Sequence, residues 1–86
     1  MQELTRSLSK ELGSRGVTVN AISPGPTDTE LFTSGKTQEQ IDFFAKQSAF
    51  GRLGQSNEIA DVVVFLASDA SRWISGQNIR INGALI

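Results

Sequence analysis

Two short strand-like segments, separated by more than fifty residues, constrain the fold of this chain more than any other feature. Residues 17–22 are rich in β-branched side chains, and residues 77–81 alternate between polar and apolar ones. Helical patterns fill the connection between them, and strands joined in this way are parallel neighbours with a right-handed crossover. The sequence therefore predicts an α/β fold with two parallel strands covered by helices.

A two-stranded parallel sheet is too small to be stable by itself. Both of its edges expose unpaired backbone groups, and three or more strands are normally needed for independent stability. A chain of 86 residues also buries only about 60–65% of the surface that its unfolded form exposes. We therefore expect further sheet to come from a second copy of the chain or from a segment that this sequence lacks.

The first helical pattern covers residues 2–13. Leu4, Leu8 and Leu12 recur every four residues and form one apolar stripe. The pattern starts without a capping residue, so it resembles the second half of a longer helix. We expect the sequence to belong to a longer protein, whether it is a natural product or a proteolytic remnant.

Two further helices are predicted in the connection between the strands. Thr37 and Gln40 have the spacing of a capping box, which favours a helix over residues 38–48. A third helix is predicted over residues 57–68, because its apolar residues share one face. The side of that helix expected to be buried consists of Ile59, Val62, Val63, Leu66 and Ala67.

Missing residue types exclude several kinds of chemistry. The chain contains no Cys, His or Tyr, which excludes disulfides, thiol nucleophiles, imidazole bases, phenolic acids and the usual zinc ligands. Its net charge of -1 provides no basic field for nucleic acid or an anionic membrane. There is no apolar run of membrane-spanning length and no signal-peptide pattern. We expect no metal, no nucleic acid, no membrane contact and a cytoplasmic location.

The segment that follows the first predicted strand combines rigid and polar residues. Pro24 and Pro26 restrict the backbone, and Gly25 lets it approach a flat ligand closely. Ligands of open α/β sheets bind beyond the carboxyl ends of the strands. There, Thr27 and Thr29 can donate hydrogen bonds to a carboxamide or phosphate oxygen.

The same segment also fits an ordinary strand-to-helix turn. Thr27, Asp28 or Thr29 would then cap the next helix with its side-chain oxygen. Residue types and spacing alone do not decide between a ligand site and a helix cap.

Five ordered segments resemble the short-chain dehydrogenase/reductase family. Asn20, Pro24, Gly25 and Thr29 match the family pattern N-x-x-x-P-G-x-x-x-T. The other segments cover most of the remaining chain and occur in the family's order. They are LTRSLSKELGSRGVTVN (4–20), which is similar to the segment after the family's catalytic Tyr-x-x-x-Lys, GRLG (51–54), EIADVVVFLASDAS (58–71) and ISGQNIRINGA (74–84).

The resemblance implies both a fold and an activity. Residues 17–22 and 77–81 would be the last two strands of a Rossmann-type doubly wound parallel sheet, with residues 58–68 as the helix packed between them. The chain would be the C-terminal portion of an oxidoreductase that transfers a hydride between NAD or NADP and a small carbonyl or alcohol substrate.

The resemblance also implies site residues. The backbone of Pro24 and Gly25 would lie beside the nicotinamide, the main chain of Thr27 would contact its carboxamide, and Thr29 would bond the carboxamide or pyrophosphate. Residues 30–50 resemble the family's variable substrate lid. There the side chains of Leu31, Phe32, Phe43 and Phe44 either wall an apolar substrate pocket or simply form core.

The chain departs from the family pattern in its catalytic parts. The Gly-rich turn that receives the pyrophosphate is absent. With no Tyr, and with Arg6 four residues before Lys10, the Tyr-x-x-x-Lys pair is absent too. We expect no catalytic residue in this chain, no turnover by the chain alone, and no basis in it for choosing NAD over NADP.

The competing prediction is a non-catalytic truncated module. It would self-associate through exposed strand edges and helix faces, including the leucine stripe and the apolar residues 84–86. Its partner would be a second copy or a complementing N-terminal segment. Trp73 is either an interface anchor of this kind or a ring buried in a turn.

Two polar residues are expected to have no role in chemistry. Asn20 is expected to be a structural hydrogen-bonding residue, and Lys36 is expected to be solvated.

Overall fold

The computed structural model describes residues 2–85 and groups them into two compact units. The first unit contains the chain up to Ser23 together with Val62–Arg80, and the second contains Pro24–Asp61 together with residues 81–85. Within the described part, no helix is both long and apolar enough to cross a bilayer.

The sheet consists of two parallel strands. The amide of Ala21 donates to the carbonyl of Gln77 (2.8 Å), and the amide of Gly25 donates to the carbonyl of Ile81 (2.9 Å). The partners advance together along both segments, which is the pattern of parallel pairing. The predicted α/β fold with two parallel strands is therefore confirmed. The strands are β1 (Ala21–Pro24) and β2 (Asn78–Ile81).

Strand β1 begins four residues after the predicted start, at Ala21, because the pairing before it mixes backbone and side-chain bonds. The amide of Gly76 donates to the carbonyl of Val19 (2.7 Å), whereas the amide of Val19 donates to the hydroxyl of Ser75 (3.1 Å). The Nδ2 of Asn20 donates to the carbonyl of Ile74 (3.0 Å), and its Oδ1 accepts from the amide of Gln77 (3.1 Å). Asn20 is therefore the structural hydrogen-bonding residue that the sequence predicted. Regular backbone pairing starts only after it.

Three of the four α-helices in the described part correspond to predicted ones, with ends that differ by at most two residues. The remaining helix is a single turn inside the segment predicted as a loop, residues 23–36. The predicted capping box is present, because Thr37 Oγ1 accepts from the amide of Gln40 and Gln40 Oε1 accepts from the amide of Thr37. The helices are α1 (Gln2–Leu12), α2 (Glu30–Thr33), α3 (Gln38–Gln47) and α4 (Ser56–Leu66).

The most buried positions of the first unit hold small polar side chains. Thr5 and Ser71 are 5% and 2% exposed. The hydroxyl of Ser71 donates to the carbonyl of Leu66 (3.0 Å). Gly76 has a positive φ of 75°, which favours glycine, and an added Cβ would lie 2.8 Å from the hydroxyl oxygen of Ser9, which would have to move. This unit packs through small residues rather than through a core of large apolar ones.

The apolar residues of helix α4 in the first unit remain largely uncovered. Val63 and Ala67, both predicted to be buried, are exposed, because nothing among the described residues of that unit covers this side of the helix. Val64 and Phe65 are exposed as well. Trp73 is 98% exposed, so the interpretation in which a turn buries its ring is wrong.

The second unit has one buried apolar residue. Leu53 is 8% exposed, and it is the only buried apolar residue within the described part of the chain. The apolar chain end predicted as an association surface includes Ile86, which lies outside the described residues, whereas Leu85 is partly buried. Hydrogen bonds and one ion pair therefore hold much of this unit.

Candidate functional site

The turn after β1 is fixed at Gly25. Its amide pairs with β2 at the carbonyl of Ile81. A Cβ added to Gly25 would lie 2.6 Å from the Cβ and 2.9 Å from the Cα of Asn82, which is too close for any side chain. The sequence suggested that Gly25 admits a flat ligand. In the structure Asn82 occupies the face from which a side chain would project, so a ligand can contact only the other face.

Thr27 lies in a second, isolated parallel bridge. The amide of Gly54 donates to the carbonyl of Pro26 (3.0 Å), and the amide of Asp28 donates to the carbonyl of Gly54 (2.7 Å). The Thr27 hydroxyl donates to the carbonyl of Gly25 (2.8 Å). The amide of Thr27 donates to no acceptor among residues 2–85. The bridge thus fixes the loop while leaving one backbone donor unused.

Thr29 is the N-cap of α2. Its Oγ1 accepts from the amide of Phe32 (3.2 Å), and its carbonyl accepts from the amide (2.9 Å) and hydroxyl (3.0 Å) of Thr33. The helix-cap interpretation is therefore correct for Thr29. These bonds use the oxygen of the Thr29 hydroxyl as an acceptor, so its hydrogen remains available as a donor.

An ion pair that sequence reasoning missed holds the segment before α4. Arg52 bonds Glu58 through two parallel contacts, Nη1 to Oε1 and Nη2 to Oε2, both 2.8 Å. Arg52 Nη1 also donates to the carbonyl of Leu53 (3.0 Å), and Glu58 Oε1 accepts from the amide of Gln55 (2.8 Å). These contacts fix the turn that leads into Gly54, which pairs with residues 26–28, here called the Thr27 loop.

The same contacts perturb the ionisation of both side chains. The hydrogen bonds from Arg52 and from the amide of Gln55 lower the pKa of Glu58 from 4.5 to about 2. The hydrogen bond to Glu58, followed by its charge, raises the pKa of Arg52. Hydrogen bonding to the charged forms is the largest cause of both pKa shifts. Both side chains are substantially exposed, so solvent screens the attraction between their charges.

Three of the four predicted lid residues meet in an aromatic cluster. The ring of Phe44 makes edge-on contacts with Phe32 (5.3 Å between centroids) and Phe43 (5.6 Å). Lys36 places Nζ 4.1 Å from the Phe32 centroid and donates to the Phe32 carbonyl. The expectation that Lys36 is solvated is therefore wrong. Leu31 is 91% exposed and does not join the cluster.

A cavity of about 200 Å³ lies in the second unit beside the Thr27 loop. Phe44 is the only one of the four predicted lid residues that lines it. The cavity depends on residues from four separate stretches of the chain, which no sequence pattern brings together. The apolar residues that line it are Pro26, Phe44, Phe50, Ile59, Ile81 and Leu85, and the polar ones are Ser48, Arg52, Glu58 and Asn82.

The chain matches known reductases along its whole length. The family model described as Enoyl-(Acyl carrier protein) reductase matches residues 1–85. NADPH-dependent aldehyde reductase 2, chloroplastic, of Arabidopsis thaliana is 44% identical over 86 residues, which are 100% of this chain and 32% of that protein. The 3-oxoacyl-(acyl-carrier-protein) reductase FabG of Pseudomonas aeruginosa is 42% identical over 85 residues, 99% of this chain and 34% of that protein.

Solved structures show the same likeness. The angucycline C-6 ketoreductase LanV with bound NADP superimposes with a TM-score of 0.83 at 39% identity, covering 95% of this chain and 32% of that one. The reductase LugOII superimposes with a TM-score of 0.83 at 40% identity, with the same coverage. The chain therefore spans about a third of the length of the curated relatives that it matches.

Proposed function

The chain belongs to the short-chain dehydrogenase/reductase family, and from that membership we propose that it is the C-terminal portion of an NAD- or NADP-dependent oxidoreductase. In that enzyme it contributes the nicotinamide-side loop and the substrate lid to hydride transfer with a small carbonyl or alcohol. A bound nicotinamide supplies or accepts the hydride, whereas this chain orients the cofactor and covers the substrate.

The observation that carries this proposal is the unused backbone donor at Thr27. The bridge to Gly54 fixes the loop, and the free amide of Thr27 suits the carboxamide oxygen of a nicotinamide. The free hydroxyl hydrogen of Thr29 supplies a second donor, and Pro24 and Gly25 contribute a rigid wall. This donor set fits the nicotinamide end of the cofactor. The described residues provide no Gly-rich turn for the pyrophosphate.

The aromatic cluster and Leu31 are assigned to the substrate lid. Phe44 contacts both Phe32 and Phe43 edge-on, and Leu31, which precedes Phe32 in the chain, exposes its side chain. Large exposed apolar side chains beside a cofactor loop are suited to covering a substrate. We assign Leu31, Phe32, Phe43 and Phe44 to the substrate side of the site.

The proton donor must come from outside this chain. Reducing a carbonyl needs a group that protonates the developing alkoxide, and this sequence has no Tyr or His to do so. We therefore assign no catalytic residue here and expect no turnover by the chain alone. The proposed partners are a complementing N-terminal segment or another copy of the chain in a homo-oligomer.

A chimeric enzyme tests this proposal. The 86 residues replace the matching third of the Arabidopsis aldehyde reductase 2, and NADPH oxidation is followed with a panel of aldehydes and ketones. We expect the chimera to reduce at least one carbonyl and the chain alone to reduce none. A folded chimera that binds NADPH without reducing any carbonyl contradicts the proposed function, and so does turnover by the chain alone.

The alternative is a non-catalytic, self-associating module, and the exposed apolar residues favour it. Leu4 (55% exposed), Val17 (43%) and Val64 (69%) are open in the first unit. Both alternatives predict an oligomer by sedimentation, so nucleotide affinity separates them. Because this chain lacks the Gly-rich turn, we expect NAD(P) to bind at millimolar concentration or weaker. Micromolar affinity would argue against a module with only a structural role.

A further inference from the structure

The cavity beside the Thr27 loop, here called the Phe44 cavity, presents mainly apolar surface. Phe44 from α3 and Phe50 from the turn after α3 line one part of it. Ile59 from α4, Ile81 from the end of β2 and Leu85 from the turn after β2 line the rest. Because all of its lining residues belong to the second unit, the cavity is formed within one compact part of the chain.

The polar residues that line the Phe44 cavity are already paired with one another or with the backbone. Arg52 and Glu58 form their two-contact ion pair, which leaves no net charge at the wall. The Ser48 hydroxyl donates to the Arg52 carbonyl (2.8 Å). Asn82 donates to the Leu85 carbonyl (3.0 Å) through its Nδ2 and accepts from the Leu85 amide (3.2 Å) at its Oδ1.

This pairing decides which ligands the cavity can favour. A charged or strongly hydrogen-bonding group would lose its water without gaining a free partner at the wall, which is unfavourable. An uncharged apolar group loses little and removes apolar surface from water. The cavity therefore selects against anions and cations and in favour of apolar groups.

The volume of the cavity sets the size of that group. A dry apolar cavity of about 150 Å³ in a protein binds benzene, so about 200 Å³ suits one six-membered ring with a small substituent. We propose that the Phe44 cavity binds an uncharged, ring-sized apolar group. Its identification rests on the proposed function: the group is the apolar end of the carbonyl substrate, because Pro26 in the cavity wall directly precedes Thr27 in the cofactor loop.

Binding to the ¹⁵N-labelled chain tests the proposal without requiring turnover. The probes are cyclohexanone, which is an uncharged ring, and cyclohexanecarboxylate, which has the same ring with a charge. We expect cyclohexanone to shift the amide signals of Ser48, Gly54 and Gly83 saturably, with a Kd on the order of millimolar. The carboxylate should bind at least about tenfold more weakly, given the cost of desolvating a charge without a partner. Equal affinity for both probes would overturn the proposal.

Substitutions at Ile59 change the size of the cavity in opposite directions. Ile59→Phe should fill it and weaken cyclohexanone binding at least about tenfold, whereas Ile59→Ala should enlarge it and favour the two-ring probe 2-decalone. Val64→Phe is the matched control, because Val64 is on the same helix, 69% exposed and outside the cavity. Cyclohexanone binding that is the same in Ile59→Phe and Val64→Phe contradicts the proposal. If Ile59→Phe does not fold, the ring preference of Ile59→Ala decides the question. A ring preference that is the same in Ile59→Ala and in the unsubstituted chain overturns the proposal.

A parallel titration with nicotinamide mononucleotide separates this inference from the proposed function. Saturable ring binding without any shift of the Thr27 amide leaves the cavity site standing and counts against the cofactor role. A shift of the Thr27 amide without ring binding supports the cofactor role and overturns the cavity site alone.

Discussion

The two units of this chain hold their residues by different means. In the first unit the buried side chains are Thr5 and Ser71, whereas the large apolar residues Val64 and Trp73 are exposed. In the second unit Leu53 is buried, and the surrounding loops are fixed by a parallel bridge, a capping box and an ion pair.

This difference separates the unit that is fixed by its own contacts from the unit whose apolar surface needs to be covered by other protein. The contacts that fix the Thr27 loop are hydrogen bonds between residues of the second unit, so its geometry does not require other protein. The uncovered apolar faces of the first unit contribute little to stability until something covers them, because burial of apolar area supplies the main driving force of folding. The candidate cofactor site is thus better specified than the sheet next to it in the chain.

The strongest disruption of the second unit is expected from Gly25→Ala. The added Cβ would overlap Asn82, and two backbone segments would have to separate to admit it. We expect a loss of about 2–3 kcal/mol in the free energy of unfolding, measured by urea denaturation. The control is Gly13→Ala in the first unit, where nothing lies within 4 Å of the added Cβ. It should be neutral or stabilise by up to about 1 kcal/mol. Equal effects of the two substitutions would contradict the close approach.

Asn20→Ala tests the hydrogen bonding of the first unit. The substitution removes two hydrogen bonds, one that Asn20 donates to the Ile74 carbonyl and one that it accepts from the Gln77 amide, so we expect a loss of about 2 kcal/mol in the free energy of unfolding. Hydrogen exchange should show faster exchange of the Gln77 amide. Asn57→Ala is the matched control, because Asn57 is exposed and its side chain makes no hydrogen bond to the described residues. A Gln77 amide that exchanges equally slowly in both variants would show that Asn20 does not align the strands.

The ion pair of the second unit is tested by pH. Because the pKa of Glu58 is lowered from 4.5 to about 2, the stabilisation it provides is present above pH 4.5 and is lost as the pH falls through about 2. A ¹³C titration of the Glu58 carboxyl should give a midpoint near 2, which Arg52→Gln moves up towards 4.5. Arg72→Gln in the first unit removes a guanidinium whose only partner among residues 2–85 is the Asp69 carbonyl, and should leave that midpoint unchanged. An unchanged midpoint in Arg52→Gln would remove Arg52 as the cause.

The smallest effect is expected at Ala84, which has a positive φ of 65°. The left-handed conformation is unfavourable for residues with a Cβ, so Ala84→Gly should stabilise the chain by about 1 kcal/mol in urea denaturation. Ala60→Gly, inside helix α4, is the control and should destabilise by about 1 kcal/mol. Destabilisation by Ala84→Gly would mean that residue 84 is not left-handed in solution.

The sequence predicted those features that depend on local patterns. The period of residues 77–81 and the long helical connection predicted parallel strands, and the spacing of Thr37 and Gln40 predicted the capping box that the structure contains. Features that depend on tertiary contacts were not predicted. Arg52 and Glu58 are six residues apart across a turn, a separation with no fixed geometry.

Two further differences have the same origin. The predicted start of β1 was too early, because side-chain bonds of Ser75 and Asn20 interrupt the regular backbone pairing there, and their partners lie more than fifty residues away along the chain. Lys36 was expected to be solvated because a lysine in a polar stretch gives no sign of the aromatic ring that it contacts. Only the folded chain brings Lys36 to Phe32, or Asn82 to Gly25.

The exchange rate of the Thr27 amide proton tests the central claim most directly. In the free chain we expect this proton to exchange faster than those of Asp28 and Gly54, whose amides are bonded across the bridge. Millimolar nicotinamide mononucleotide should then slow the exchange of Thr27 and shift its signal, with little change at the other two. A Thr27 amide that is already protected in the free chain, or that stays unchanged while the ligand binds elsewhere, would contradict the assignment of this loop to the nicotinamide.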